Sequence, residues 1–310
     1  MHKFIIKRLL MLIPVLLGVM FVVFALGHFA PGDPARTILG EGTSDEAIHQ
    51  LREQMGLNDP FLVQYFNFLI KAVQLDFGQS YQTQRDVFTE IFARFPNTMQ
   101  LAAMGVVLAV VLGIPLGILS AVKQYSVFDF GATFFGLFWV SIPNFWLGMM
   151  MIILFTVTLQ WLPATGFNEP LQWIMPTIAI GTNSLAIVMR MTRSSMLECI
   201  RQDYIRTARA KGQKEGVVIF KHALRNALIP VTTTVGMQFG FLLGGAVLTE
   251  TIFAIPGLGA FLVSAILNRD FAIVRGGVIL IALTFTVVNL AVDILYSFID
   301  PRIRSQYVRG

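Results

Sequence analysis

Four uncharged amide side chains, Asn144, Asn183, Gln238 and Asn289, sit inside long apolar runs of this 310-residue sequence. An amide is costly in an apolar medium, so each must face protein or water. Two uses fit that chemistry: hydrogen bonds between helices, or a neutral polar lining along which a solute passes. A second cluster is cationic. Residues 192–225 carry eight Lys and Arg, and within them Thr207-Ala208-Arg209-Ala210-Lys211-Gly212 sets small side chains beside a helix-stopping glycine. Small side chains let another protein surface approach closely, and glycine permits the turn. The segment reads as two short helices broken at Gly212, the first with an apolar stripe of Met196, Ile200, Tyr204 and Ala208. A solvated basic loop is the plainer alternative.

Other chemistries find no residues. No lysine is followed by serine or threonine, so a phosphate-cradling Walker A sequence is missing. His2, His28, His49 and His222 lack metal-ligand spacing. The single cysteine, Cys199, excludes an intrachain disulfide and a cysteine metal cluster. An intramembrane serine protease needs a paired serine and histidine within its spans, and only His28 is near one. Ion-driven transporters keep ionisable groups in the bundle. Here Asp293 alone qualifies, near the end of the last run, where a helix-end carboxylate is the simpler reading.

The elements that must position these residues are membrane helices. Hydrophobic residues make up 55% of the chain and charged ones 13%, about half the share in a soluble domain. Six uncharged runs are long enough to cross a bilayer: 9–30, 98–122, 130–159, 170–189, 226–249 and 276–292, the last continuing toward 299. Lys and Arg between the runs set direction. Sixteen fall on the side shared by both termini and the 192–225 loop, and seven on the other. This predicts an all-α polytopic membrane protein of six transmembrane helices with both termini cytoplasmic. The net charge of +5 is then a topology signal and needs no nucleic acid. The division reads as 1–30 (N-terminus and first span), 31–97 (external loop) and 98–310 (transmembrane core with the 192–225 loop).

The 31–97 loop is long, acidic and predicted to be structured. Thr43 or Ser44 can cap a helix that buries Ile48, Leu51 and Met55 and stops at Gly56. A second amphipathic stretch starts at Phe61. The stretch 256–268 is a further amphipathic piece on the same side. On the fifth run, Gly236, Gly240, Gly244 and Gly245 form a close-packing face that lets that helix slide.

Several motifs in order resemble the permease subunits of binding-protein-dependent ABC importers, in the peptide/nickel branch. They are Arg8-Leu9-Leu10 through Pro31-Gly32-Asp33-Pro34, then Asp76-Phe77-Gly78, then Asp203-Tyr204-Ile205-Arg206-Thr207-Ala208-Arg209-Ala210-Lys211-Gly212. His222-Ala223-Leu224-Arg225-Asn226, Glu250-Thr251-Ile252-Phe253, Pro256-Gly257-Leu258-Gly259 and Asp300-Pro301-Arg302-Ile303-Arg304 follow. Two departures separate the chain from sugar and amino-acid permeases. Arg206-Thr207-Ala208 stands where those open on Glu-Ala-Ala, and Asn226 replaces a proline.

The resemblance implies a subunit of the prokaryotic inner membrane that imports di- or oligopeptides, glutathione included. Nickel or another small solute is the alternative cargo, and an intramembrane enzyme or passive channel the alternative class. It implies a second homologous permease, two ATPase subunits that hold ATP and Mg, and an extracytoplasmic binding protein. This chain would bind no cofactor itself. Asp203, Tyr204, Arg206, Thr207, Ala208, Arg209, Ala210, Lys211 and Gly212 would be the ATPase-coupling loop. Asn144, Asn183, Gln238 and Asn289 would line the path. Asp33, Asp76, Pro256 and Gly257 would serve the outer gate or the binding-protein contact.

Overall fold

The computed structural model describes residues 2–40 and 42–299. The Asp293 side chain and the 300–304 motif lie outside the described residues. Every regular element among those residues is helical, with one isolated antiparallel bridge from Gln79 to Asp86. The order is α1 (His2–Phe29), α2 (Pro34–Leu39), α3 (Asp45–Gln54), α4 (Phe61–Val73), α5 (Val87–Val122), α6 (Val127–Ser141) and α7 (Asn144–Met151). Then come α8 (Pro170–Ile200), α9 (Asp203–Ala210), α10 (Glu215–Val217), α11 (Leu224–Ile252), α12 (Leu258–Leu267) and α13 (Phe271–Ile299). A π-helical turn, Ile152–Thr158, extends α7, and another, Val218–Ala223, joins α10 to α11.

Among the described residues five helical stretches are long and apolar enough to span a membrane, or six if the bent pair α6–α7 is one span. That pair falls on the expected run 130–159, which the structure shows to be interrupted. The helix breaks at Ser141-Ile142-Pro143 and turns by 95°. Ile142 is extended (φ −88°, ψ 123°), as the residue before a proline prefers, and Pro143 has no N–H to continue the ladder. Two other runs are longer than expected. The helix containing 98–122 starts at Val87, and the one containing 170–189 reaches Ile200. Arg190 and Arg193 therefore ride on a helix rather than in a loop.

The chain divides into two compact units. One holds residues 98–255 and the last helix from Phe285. Its centre is α8, which packs against α6, α7 and α11. Leu101, Met175, Ile180, Leu242, Leu243 and Phe253 form its main core. Helices α5 and α8 approach each other backbone to backbone. A Cβ on Gly117 would come within 2.6 Å of the Met189 carbonyl oxygen, and one on Gly181 within 3.0 Å of the Gly105 carbonyl. Glycine there is required by backbone-to-backbone contact. On α11 the expected glycine face is only half used. Gly236 abuts Val292 and Gly240 abuts Phe285, but Gly244 has nothing within 4 Å.

The other unit holds residues 9–97 and 256–284. Its core joins Tyr81, Val87, Ile91, Leu258, Leu262 and Ile273. Phe24 is buried among the rings of Phe61, Tyr65 and Phe68, with centroids 5.4–5.5 Å away. Ser44 caps α3 by accepting from the Ala47 N–H, and Ile48 is buried beneath. Asp270 is buried, accepts from the Ser80 hydroxyl at 2.5 Å, and caps α13 through the Ile273 N–H.

Candidate functional site

The loop 192–225 is built from the end of α8, the eight-residue α9, a turn at Gly212 and the start of the helix that becomes α11. An isolated helix of eight residues does not hold itself in water. Tertiary contacts hold α9: Ile205 is fully buried and Ala208 is 9% exposed. They join Ile118 and Ala121 of α5, Met196 of α8, and Val218, Ile219, Ala223 and Ala227.

This corrects the stripe read from sequence. The chain leaves helical geometry at Gln202 (ψ 151°), which resets the register, so Ile205 turns inward and Tyr204 stays exposed. Ala208, expected to admit a partner's surface, instead packs against the chain's own core. The residues that α9 presents outward are Asp203, Tyr204, Arg206, Thr207, Arg209 and Ala210.

One backbone turn and two contacts fix the shape of this loop. Gly212 takes φ +75°, a left-handed conformation that other residues adopt at a cost of about 1–2 kcal/mol. Arg209 makes a two-pronged ion pair with Glu215 across the turn, at 2.6 and 3.1 Å, and that carboxylate holds the guanidinium pKa above its ordinary value. The Asn226 amide donates to the Tyr204 hydroxyl at 3.0 Å, while partial burial pushes the phenol pKa up. Asn226 thus ties α11 to α9. Lys211 and Lys214 complete an exposed cationic rim.

A neighbouring polar cluster has no counterpart in the sequence reading. Asp129 on α6 is buried and accepts from Arg193 on α8 through Nε at 2.7 Å and Nη2 at 2.8 Å. The Ser120 hydroxyl on α5 donates to the same carboxylate at 2.5 Å. Three helices are pinned at one point just before the loop. The two charges lie 64 positions apart, and Arg193 reads in sequence as a loop cation, so spacing holds no signal for the pair.

The four amides differ. Gln238 is 9% exposed, and its Nε2 has no hydrogen-bond partner among the described residues. Asn289 donates to Phe285 O of its own helix at 3.0 Å, which satisfies it locally. Asn183 is half-buried on α8, and Asn144 is half-buried at the start of α7 behind the Pro143 bend. Among the described residues, no hydrogen bond links any two of these amides.

The expected outer-gate residues all have local work. Asp33 caps α2 through the Ala35 N–H at 3.0 Å and pairs with Arg52 at 2.8 Å. Asp76 accepts from the Gly78 N–H at 2.9 Å. The Pro256 carbonyl accepts from Asn97 Nδ2 at 2.9 Å, and Gly257 caps α12. Among the described residues no group of three His, Cys, Asp or Glu side chains is placed to hold a metal ion.

Set beside known proteins, residues 113–305 match the family described as "Binding-protein-dependent transport system inner membrane component", and residues 1–102 match its N-terminal companion. The chain belongs to that family. Among curated relatives of this permease family, a dipeptide transport system permease protein, DppB, of Alkalihalophilus pseudofirmus is 45% identical, over 96% of this chain and 98% of that one. The DppB dipeptide permease of Escherichia coli K12 is 42% identical over 98% and 99% of the two chains. A glutathione permease, GsiC, of the same organism is 42% identical over 98% and 99%. A solved structure of the MetNI methionine ABC transporter in an inward-facing conformation superposes with a TM-score of 0.57 at 17% identity. It covers 68% of this chain and 96% of that chain, and this likeness speaks to fold alone.

Proposed function

We propose that this permease carries small peptides across the cytoplasmic membrane, as one of two permease subunits driven by separate ATPases. The observation that supports it most is end-to-end similarity: relatives at 42–45% identity, matched along nearly their whole length, are dipeptide and glutathione permeases. In this reading both termini are cytoplasmic and the α6–α7 pair is one bent span, giving six. Helix α9 seats in an ATPase groove and presents Asp203, Tyr204, Arg206, Thr207 and Ala210, while Ile205 and Ala208 fasten it to the α5–α8–α11 core. Closure of the ATPases around ATP and Mg then moves that core as a unit. A remote event shifts a transporter only through contacts that differ between its two states. Gln238, with an amide donor unspent, is the foremost path residue. Asn144 and Asn183 follow, and Asn289 ranks last because its own helix satisfies it. An extracytoplasmic binding protein delivers the peptide to the side bearing 31–97 and 256–268.

The test is uptake of a labelled dipeptide by vesicles holding the chain with its partner permease, ATPases and binding protein. ATP-dependent uptake, competed by unlabelled peptide and lost in Gly212→Pro, is expected. Gly212→Pro fixes φ near −65°, which the turn at +75° cannot accept. Uptake of nickel with no peptide competition, or peptide flux that needs no ATPase, would refute the reading.

A further inference from the structure

The unit of residues 9–97 and 256–284 contains a cavity of about 700 Å³, and Arg275 of α13 lines it. This guanidinium is half-buried. Nη2 donates to the Tyr81 hydroxyl at 2.7 Å and Nε donates to the Phe271 carbonyl at 3.1 Å. No carboxylate lies within ion-pair distance of it among the described residues. The Phe24 and Phe68 rings stand 5.9 and 5.6 Å from its central carbon, which eases the charge without neutralising it. A charge drawn partly out of water without a counter-ion is a standing cost, and an arriving anion relieves it.

The rest of the lining narrows the ligand. Lys71 adds a second cation, and Glu53 and Asp76 supply two carboxylates. Asn67 and Gln79 place neutral amides among them. A ligand with one charge would leave one sign unmatched. A molecule carrying an ammonium, an oxyanion and amide groups between them matches all three, and the volume suits a small peptide. The wall is pre-built: Ser80 is anchored on Asp270 and Tyr81 on Arg275, which fixes the turn that follows Asp76.

We propose that this cavity is a peptide-binding site of its own, in which Arg275 receives the peptide carboxylate and the Glu53–Asp76 side receives its ammonium. It rests on the peptide reading above. A phosphatidylethanolamine headgroup carries the same ammonium and oxyanion, so the test must separate the two.

The transporter complex, without binding protein, is placed in phosphatidylcholine nanodiscs and titrated with labelled alanyl-alanine. Arg275→Gln is expected to weaken binding at least about tenfold, the scale of one lost charged hydrogen bond. Arg275→Lys should restore most of the affinity. Alanyl-alanine amide should bind the native complex as weakly as the free dipeptide binds Arg275→Gln. Glu53→Gln, at a largely exposed side chain whose ion-pair neighbour is His49 one helical turn away at 3.7 Å, should weaken the free dipeptide but not its N-acetyl derivative. Equal affinity of Arg275→Gln and native complex, or of amide and free acid, overturns the proposal. So does peptide binding that phosphatidylethanolamine nanodiscs abolish, which assigns the cavity to lipid. In either case ATP-driven dipeptide uptake, measured on sealed vesicles holding the same complex with its binding protein, stays intact, whereas its loss would strike the transport reading instead.

Discussion

Ile205→Ala isolates what fastens α9. Ile205 is fully buried, and the only other buried residue of this eight-residue helix is Ala208. Truncating a fully buried isoleucine costs about 2–5 kcal/mol. Nothing within α9 can offset that, since one eight-residue helix has no stability of its own. The loss therefore falls on the docking of α9 rather than on the whole fold. At the low end of that range the undocked population rises roughly thirtyfold, one tenfold for each 1.4 kcal/mol. Hydrogen exchange of the amides of residues 203–212 reads this directly. They should exchange at least about thirty times faster than in the native protein, while α8 and α11 amides change little. Peptide-stimulated ATP hydrolysis should fall in parallel, with unchanged amounts of protein in the membrane. Unchanged exchange at 203–212 would refute the packing argument, and faster exchange with full coupling would refute the role given to α9.

Removing one partner of the buried pair, as in Asp129→Asn or Arg193→Gln, should cost about 3 kcal/mol or more and lower the unfolding temperature in detergent. Asp129→Leu with Arg193→Met should recover much of that loss. Gly117→Ala should destabilise the protein in the same assay, because the added methyl would meet the Met189 backbone oxygen. Gly244→Ala, which meets nothing, should be neutral. Acid should loosen the start of α5. The Thr89 hydroxyl and N–H both donate to Asp86 and hold its carboxyl below the usual carboxylate range. A depressed pKa stabilises above the unfolded value and is lost as pH falls through the folded one. Protection at residues 87–90, the exchange rate relative to that of the free chain at the same pH, should therefore fall on acidification and be insensitive to pH in Asp86→Asn.

The membrane helices were legible because little besides a bilayer span calls for twenty consecutive uncharged apolar residues. The bend was not, although Pro143 stands in plain view. Pro14, Pro176 and Pro230 lie inside helices that continue through them, so a proline in a span does not announce a break. The turn at Gly212 was readable, because glycine after a short charged helix has one common use. The inward face of α9 was not, since the interruption at Gln202 shifts the phase of the stripe without leaving a glycine or proline to mark it. The glycine contacts show the same limit. Spacing shows that Gly236, Gly240 and Gly244 share a face, but only the neighbouring helix decides which of them it touches. Gly117 does lie in such a row, with Gly105, Ala109 and Gly113 at four-residue steps on α5, and that row has no counterpart in the sequence reading; Gly181, which also meets backbone, stands in none.

The break between α6 and α7 has a consequence for solvation. Helix ends leave up to four N–H or C=O groups each without an intrahelical partner, and here two ends meet at Ser141-Ile142-Pro143. The Ile142 N–H bonds back to Trp139 and the Leu147 N–H to Pro143, and the Ser141 hydroxyl covers Leu137. Those bonds account for part of the set. Hydrocarbon can satisfy none of the rest. Where the α6–α7 pair serves as one bent span, as proposed above, lipid tails cannot pack uniformly around this turn, and a wedge of water or another polypeptide must meet it.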